Sequence, residues 1–232
     1  MIYVMSDLHG RYDKYRSMLT KLNLKDTDAL FVLGDVIDKG NDGIKILKDM
    51  MYRANIYPIL GEHEYMAKKI LPEIVNAQSV DNCASIVSDE NKLLFASWIK
   101  SGGFATIEKF LALSDEDRES IIDYLEEFEP YEEIEAASRN FVLVHAGIKN
   151  FEDTKELDEY DESDFVFEKA DYSVPYFKNK FLITGHTVTQ DISGAKEQKV
   201  FSAKKHLAIN CSEDEDGKLA AVCLDTMKVY YV

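Results

Sequence analysis

Three short runs rich in β-branched and aromatic residues, at 2–5, 29–33 and 56–60, alternate with two stretches of helical spacing. The first stretch carries Tyr15, Met18, Leu19 and Leu22. The second carries Ile44, Leu47, Met50 and Met51 and opens on Asp42 as a cap. Strands joined through a helix run parallel, because a tight turn can join only antiparallel neighbours. This alternation commits the chain to an α/β fold. Further β-rich runs follow at 141–144, 181–184, 207–211, 220–224 and 227–232. Asp216-Gly217 and Asp225-Thr226 are turn signals between the last of these, and they predict antiparallel hairpins and therefore mixed sheets.

From about 65 to 139 the pattern is almost wholly helical, which predicts a helical insertion within one domain spanning 1–232. Ser114-Asp115-Glu116-Asp117 has the form of a capping box ahead of Ile121, Ile122 and Leu125. Trp98 falls in an apolar stretch and is expected to pack in the core. The acid-rich segment 152–164 reads as a solvated loop.

Charge narrows the functional classes. With 27 Lys+Arg against 43 Asp+Glu, the formal net charge is −16. Such a surface repels nucleic acid and anionic membranes but leaves a small phosphorylated substrate open. No run reaches the roughly 18 apolar residues of a membrane helix, and the N-terminus lacks the marks of a signal peptide. Cys83, Cys211 and Cys223 form no CxxC pair and read as reduced, buried thiols, so the expected location is cytoplasmic.

The chemistry sits where the β-runs stop. The first is followed by Asp7 and His9, and the second by Gly34-Asp35-Val36-Ile37-Asp38-Lys39-Gly40. The third is followed by Gly61-Glu62-His63-Glu64, the fourth by His145-Ala146-Gly147, and a fifth by Gly185-His186-Thr187. In open α/β sheets ligands gather beyond the carboxyl ends of the strands. Mixed imidazole and carboxylate donors suit borderline divalent ions such as Mn, Fe or Zn. Two such ions about 3.5–4 Å apart can clamp both oxygens of an in-line phosphoryl displacement.

This ordered set of motifs resembles the calcineurin-like metallophosphoesterases, in particular the phosphoprotein-phosphatase branch, which includes bacterial Ser/Thr phosphatases and dinucleoside polyphosphate hydrolases. The resemblance extends from Asp7 to about Asp225. It implies a four-layer α/β/β/α fold, mixed β-sheets sandwiched by helices. It also implies two divalent metal ions, manganese favoured, held by Asp7, His9, Asp35, Glu62, His145 and His186. Asp7, His9, Asp35 and His186 would surround one ion, with Asp35 bridging to the second. His63, oriented by Asp38, would protonate the leaving oxygen while a hydroxide held on the metals attacks phosphorus directly. The implied substrate is a phosphomonoester, foremost a Ser/Thr phosphoprotein. Dinucleoside polyphosphate is the alternative, and a metal-binding regulatory protein of weakened catalysis a third reading.

Three positions depart from the family pattern. Glu62 stands where the family has Asn, and it adds a negative charge without an amide donor. Lys39 stands where the family has Arg, and the segment 167–172 places Lys169 where the bacterial branch has Arg. Lysine keeps the charge but loses the planar fork that fits phosphate. With Lys39 and Lys169, Arg11 is a third candidate to bind substrate phosphate, open also to reading as an exposed helix-start arginine. Asp38 has a second reading as a turn cap, and Glu62 as an ion-pair partner of Lys68 or Lys39. Asn210 and Ser212 replace the family's closing Asp-x-Gly, and His206 reads as structural.

Overall fold

Along each early strand the buried side chains alternate between two apolar clusters, so the strands are covered on both faces. The structure, a computed structural model, describes residues 1–195 and 197–232. The chain begins β1 (Ile2–Ser6), α1 (Tyr12–Leu22), β2 (Ala29–Leu33), α2 (Gly43–Met51) and β3 (Ile56–Ile59). Helices follow: α3 (Glu62–Ile74), α4 (Val80–Ile86), α5 (Lys92–Trp98), a π turn at Ile99–Gly103, α6 (Phe104–Leu111) and α7 (Asp115–Glu126). The chain then forms β4 (Tyr131–Ala136), β5 (Arg139–Val144), α8 (Glu162–Val166), β6 (Lys180–Thr184), β7 (Phe201–Ala203), β8 (His206–Ala208), β9 (Ala220–Cys223) and β10 (Lys228–Tyr231).

These strands make two five-stranded sheets, ordered β10-β9-β1-β2-β3 and β4-β5-β6-β8-β7. Each is mixed. β1, β2 and β3 run parallel, as do β5, β6 and β8, while β9, β10, β4 and β7 are antiparallel additions. Val4, Phe31, Leu33, Ile59, Val222 and Leu224 of the first sheet share a cluster with Phe141, Leu143, Ile183 and Leu207 of the second. That is the seam of a sandwich. The alternate residues Tyr3, Met5, Leu30 and Val32 pack outward with Tyr15, Met18, Leu22, Leu47 and Met50 of α1 and α2, while Val142, Val144 and Leu182 lie in the same outer cluster as Phe165 and Val166. Helix, sheet, sheet and helix therefore form the four layers.

The helical stretch covers 62–126 and ends earlier than expected, because residues 131–136 form the edge strand β4. Its Met66, Ile70, Trp98, Ile107, Phe110 and Leu125 join the cluster that covers the outer face of the first sheet. Asp42 precedes α2 but makes no side-chain cap, whereas Ser114 caps α7 by accepting the Asp117 N–H at 3.2 Å. The turn at Asp225-Thr226 does close the hairpin β9–β10. The one at Asp216-Gly217 does not close a hairpin, since β8 and β9 lie in different sheets. Nor is 152–164 simply a solvated loop: Leu157 and Tyr160 are buried, and α8 begins within it. The three cysteines are free and buried. Among the described residues no helix is long and apolar enough to cross a membrane.

Candidate metal centre

The parallel strands of both sheets deliver their carboxyl ends to one edge of the sandwich, and the chain turns sharply there. Asp7 and His9 follow β1, Asp35, Asp38 and Lys39 follow β2, and His186 follows β6. All six have positive φ, between 42° and 68°. A non-glycine residue in this region costs on the order of 1 kcal/mol. Strain of this kind persists only where surrounding bonds hold it, and here they do. The Glu64 carboxylate accepts the N–H groups of Asp35, Val36 and Ile37 at 2.7, 2.8 and 3.1 Å. The Asp7 carboxylate accepts the His186 N–H at 3.1 Å and the Asn210 amide at 3.0 Å.

Within this frame the metal-capable side chains meet. The His9 Nε2 lies 3.5 Å from Asp35 Oδ2, and the His145 Nε2 lies 3.3 Å from Asp35 Oδ1. Glu62 accepts from His145 Nε2 and, at 2.8 Å, from His186 Nδ1. Among the described residues, four triads have ligand atoms within 4.8 Å of one another: His9–Asp35–His63, Glu62–His145–His186, Asp7–His9–Glu213 and Asp7–Asp35–His145. The His186 ring thus groups with Glu62 and His145. The resemblance implies that it joins Asp7, His9 and Asp35; toward Asp7 it is the His186 backbone N–H that bonds, at 3.1 Å. Lys68 pairs with Glu126 and Glu162, which leaves Glu62 to the two imidazoles.

The donor set has the chemistry of a cation site. His9 Nδ1 faces the Ile37 carbonyl at 3.2 Å and His145 Nδ1 faces that of Leu33 at 2.8 Å, so each ring is turned with Nε2 toward the carboxylates. Burial raises Asp7 to about 7, with Asp35 nearby adding to the shift against the pull of His145. Burial and the neighbouring Glu62 also raise Asp35. Against the cost of burial, Asp35 and Glu62 hold His145 well above its usual range, so protons balance these carboxylates. Burial, together with Lys39 and His63, keeps His9 well below its usual range and neutral. Divalent ions compete with such protons for nitrogen and oxygen donors. The residues fit.

Of the remaining expected positions, His63 and Asp38 come together: His63 Nδ1 donates to Asp38 Oδ2. Burial opposes a charge on His63, but Asp35 and Asp38 raise it to about 10. Lys39 reaches the centre, with Nζ 3.1 Å from His9 Nε2 and paired to Glu213. Arg11 does not extend toward it. Its guanidinium is buried and donates to the carbonyls of Leu8 at 3.1 Å, Asp7 at 2.6 Å and Asp214 at 2.9 Å, a brace for the backbone. Lys169 is exposed beside Asp171, Tyr176 and Phe151 and joins none of the four triads. The sequence reading missed Glu64, Asn210, Glu213, Trp98 and Thr106. Glu64 was legible, since it closes the Gly61-to-Glu64 motif. Asn210 stands in the family's closing motif and Trp98 in an apolar stretch, but their bonds to Asp7 and Asp38, like the places of Thr106 and Glu213, arise from long-range contacts that carry no local signal.

A sequence profile of the calcineurin-like phosphoesterases matches residues 1–206. Over 110 residues the chain is 28% identical to the symmetrical bis(5'-nucleosyl)-tetraphosphatase of Wigglesworthia glossinidia brevipalpis, covering 46% of this chain and 40% of that one. Over 149 residues it is 27% identical to serine/threonine-protein phosphatase 2 of Salmonella typhimurium, covering 62% and 57%. The chain thus spans roughly half the length of these curated relatives. A crystal structure of a candidate diadenosine tetraphosphatase superposes with a TM-score of 0.65 at 15% identity, over 100% of this chain and 92% of that one. At that identity the likeness establishes a shared fold.

Proposed function

The chain belongs to the calcineurin-like phosphoesterase family, and from that premise we propose that it is a metal-dependent hydrolase of phosphomonoesters, with Ser/Thr phosphoproteins as its substrates. The observation that carries this reading is the convergence of Asp7, His9, Asp35, Glu62, His145 and His186 from five strand ends. These residues would hold two divalent ions, manganese being favoured for the mixed nitrogen and oxygen set. Such ions, when bound, neutralise phosphoryl charge and lower the pKa of water. The chain's own groups do the rest. His63, protonated at neutral pH, is held at Nδ1 by Asp38 and presents its Nε2 proton to the leaving oxygen. Lys39 supplies a cation beside His9 for a phosphoryl oxygen.

A cavity of about 540 Å³ opens beside His9 and Lys39. Asp13, Asp42, Glu213, Glu215 and Asp216 line it against three cations, Arg11, Lys14 and Lys39, so carboxylates are in excess beyond Lys39. A leaving group bearing further phosphates meets carboxylates there, whereas a neutral or basic peptide is attracted. This favours phosphopeptides over dinucleoside polyphosphates. The second substrate is supported by the tetraphosphatase named among the relatives.

Specificity constants with added manganese decide between them. We expect a phosphoserine peptide with arginine flanks to exceed both its glutamate-flanked counterpart and diadenosine tetraphosphate, with activity lost in His63→Asn and Asp35→Ala. Preference for the tetraphosphate would overturn the substrate assignment. Two bound metals with negligible turnover on every ester would instead favour the regulatory reading.

A further inference from the structure

Asp38 is wholly buried, and its carboxylate is held by more than His63. Its Oδ2 accepts the indole N–H of Trp98 at 2.6 Å as well as the His63 Nδ1 proton. Its Oδ1 accepts the hydroxyl of Thr106. That hydroxyl in turn accepts the Asp38 backbone N–H at 3.1 Å, which fixes its rotor with the proton toward Oδ1. All four residues are at most 3% exposed, so solvent does not compete for these bonds. Trp98 and Thr106 lie 60 and 68 residues beyond Asp38, at the two ends of the α5–π turn–α6 corner.

From this geometry we propose that Trp98 and Thr106 are positioning residues for His63, acting through Asp38, and that the helical segment exists in part to supply them. The proposal rests on the reading of His63 as the acid.

The corner is shaped for the task. Gly102 has φ of +112°, and a Cβ there would lie 3.1 Å from the Lys39 nitrogen, so the turn sits directly on the 38–39 backbone. A Cβ on Gly103 would lie 2.6 Å from the Trp98 ring. The indole is therefore pinned by backbone on one side, with its N–H directed at Asp38. A buried indole N–H needs an acceptor, but any carbonyl would serve. Here the acceptor is the carboxylate that orients His63. A carboxylate with both oxygens committed cannot rotate, so the imidazole plane is set and Nε2 keeps one direction. Without the clamp, Asp38 holds a buried charge with one partner and is free to turn, and the proton on Nε2 is misaligned with the leaving oxygen.

Two measurements test this. Trp98 is the only tryptophan in the chain, so one indole N–H signal in a nitrogen-proton spectrum reports the bond without assignment. We expect it to be shifted downfield by the charged acceptor and to move upfield in Asp38→Asn. A signal that Asp38→Asn leaves in place overturns the clamp, whatever the activity.

The second measurement compares leaving groups. A general acid matters to an alkoxide and little to nitrophenolate, so Trp98→Phe and the isosteric Thr106→Val should each lower kcat on a phosphoserine peptide about tenfold more than on p-nitrophenyl phosphate. KM should change little, and Thr106→Ser should restore the peptide rate. Equal losses on both esters, in protein of unchanged circular dichroism, mean a merely structural role and refute the proposal. If the native protein hydrolyses neither ester while the indole signal responds to Asp38→Asn, the hydrolase reading fails and the clamp stands.

Discussion

Asp7→Asn should stabilise the metal-free protein. Asp7 is fully buried, and burial raises its carboxyl from 3.8 to about 7, with Asp35 adding to the shift against the attraction of His145. At about 1.4 kcal/mol per unit, the ionised side chain costs the metal-free fold about 4 kcal/mol above pH 7. The sign follows from proton counts. Between 3.8 and about 7 the folded state binds the proton more tightly than the unfolded chain, so stability drains away as pH rises through that window. An asparagine carries no charge, and its Oδ1 can still accept both the His186 N–H and the Asn210 amide, at the expense of the second His186 N–H contact at Oδ2. In urea unfolding with a chelator at pH 8, the variant should exceed the native protein by about 2–4 kcal/mol, and the gap should narrow by about 2 kcal/mol at pH 5.5. Saturating manganese should reverse the order, because only the native protein recovers the cost by binding. A variant less stable than the native protein in chelator at pH 8 would refute the reasoning. It would mean that the two accepted hydrogen bonds outweigh the burial of charge.

Three further outcomes are expected. Glu62→Asn removes the carboxylate shared by His145 and His186 and should weaken metal binding at least about tenfold in competition with a fluorescent chelator; a rise in turnover would instead mark Glu62 as the cause of lost catalysis. Burial depresses His206 from 6.5 to about 4, and its Nδ1 has no partner among the described residues, so its contribution is lost as pH falls through that window. Urea unfolding should find about 2.5 kcal/mol gone by pH 4.5, a loss absent from His206→Gln. Phe141, fully buried at the seam between the sheets and packed on Phe181, should cost about 3–5 kcal/mol as alanine, read from the shift in urea midpoint.

How much of this could be read in the residue order depended on whether the signal was local. The β1-to-β3 half was legible because its strands are apolar runs and its crossover helices are amphipathic at one period. β4 was not. Its Tyr131-Glu132-Glu133-Ile134-Glu135 reads as helix, yet it lies at a sheet edge where alternate residues face solvent. Its turn, Ala137-Ser138, has positive φ at both residues without the Asn or Gly that normally announces one. Lys204-Lys205, between β7 and β8, conceals a second hairpin in the same way. At the centre, the strand-end Asp and His residues were visible because one motif follows each strand. The ring of His186 turned toward Glu62, and the donors to Asp38, depend on contacts across 60 residues or more. The carbonyl partners of Arg11 were hidden for a related reason. A sequence shows that a cation is near, but not which oxygen it has already found.

Asp7 and Asp35 come from the first sheet, and His145 and His186 from the second. The centre is therefore a rivet through both halves of the sandwich, and its hole is drilled only when they are docked. A cation can do little for a half-assembled chain, so it cannot template the early steps. Its effect falls on disassembly: loading should slow unfolding far more than it speeds folding, and purified protein should outlast its metal-free form mainly through kinetic persistence.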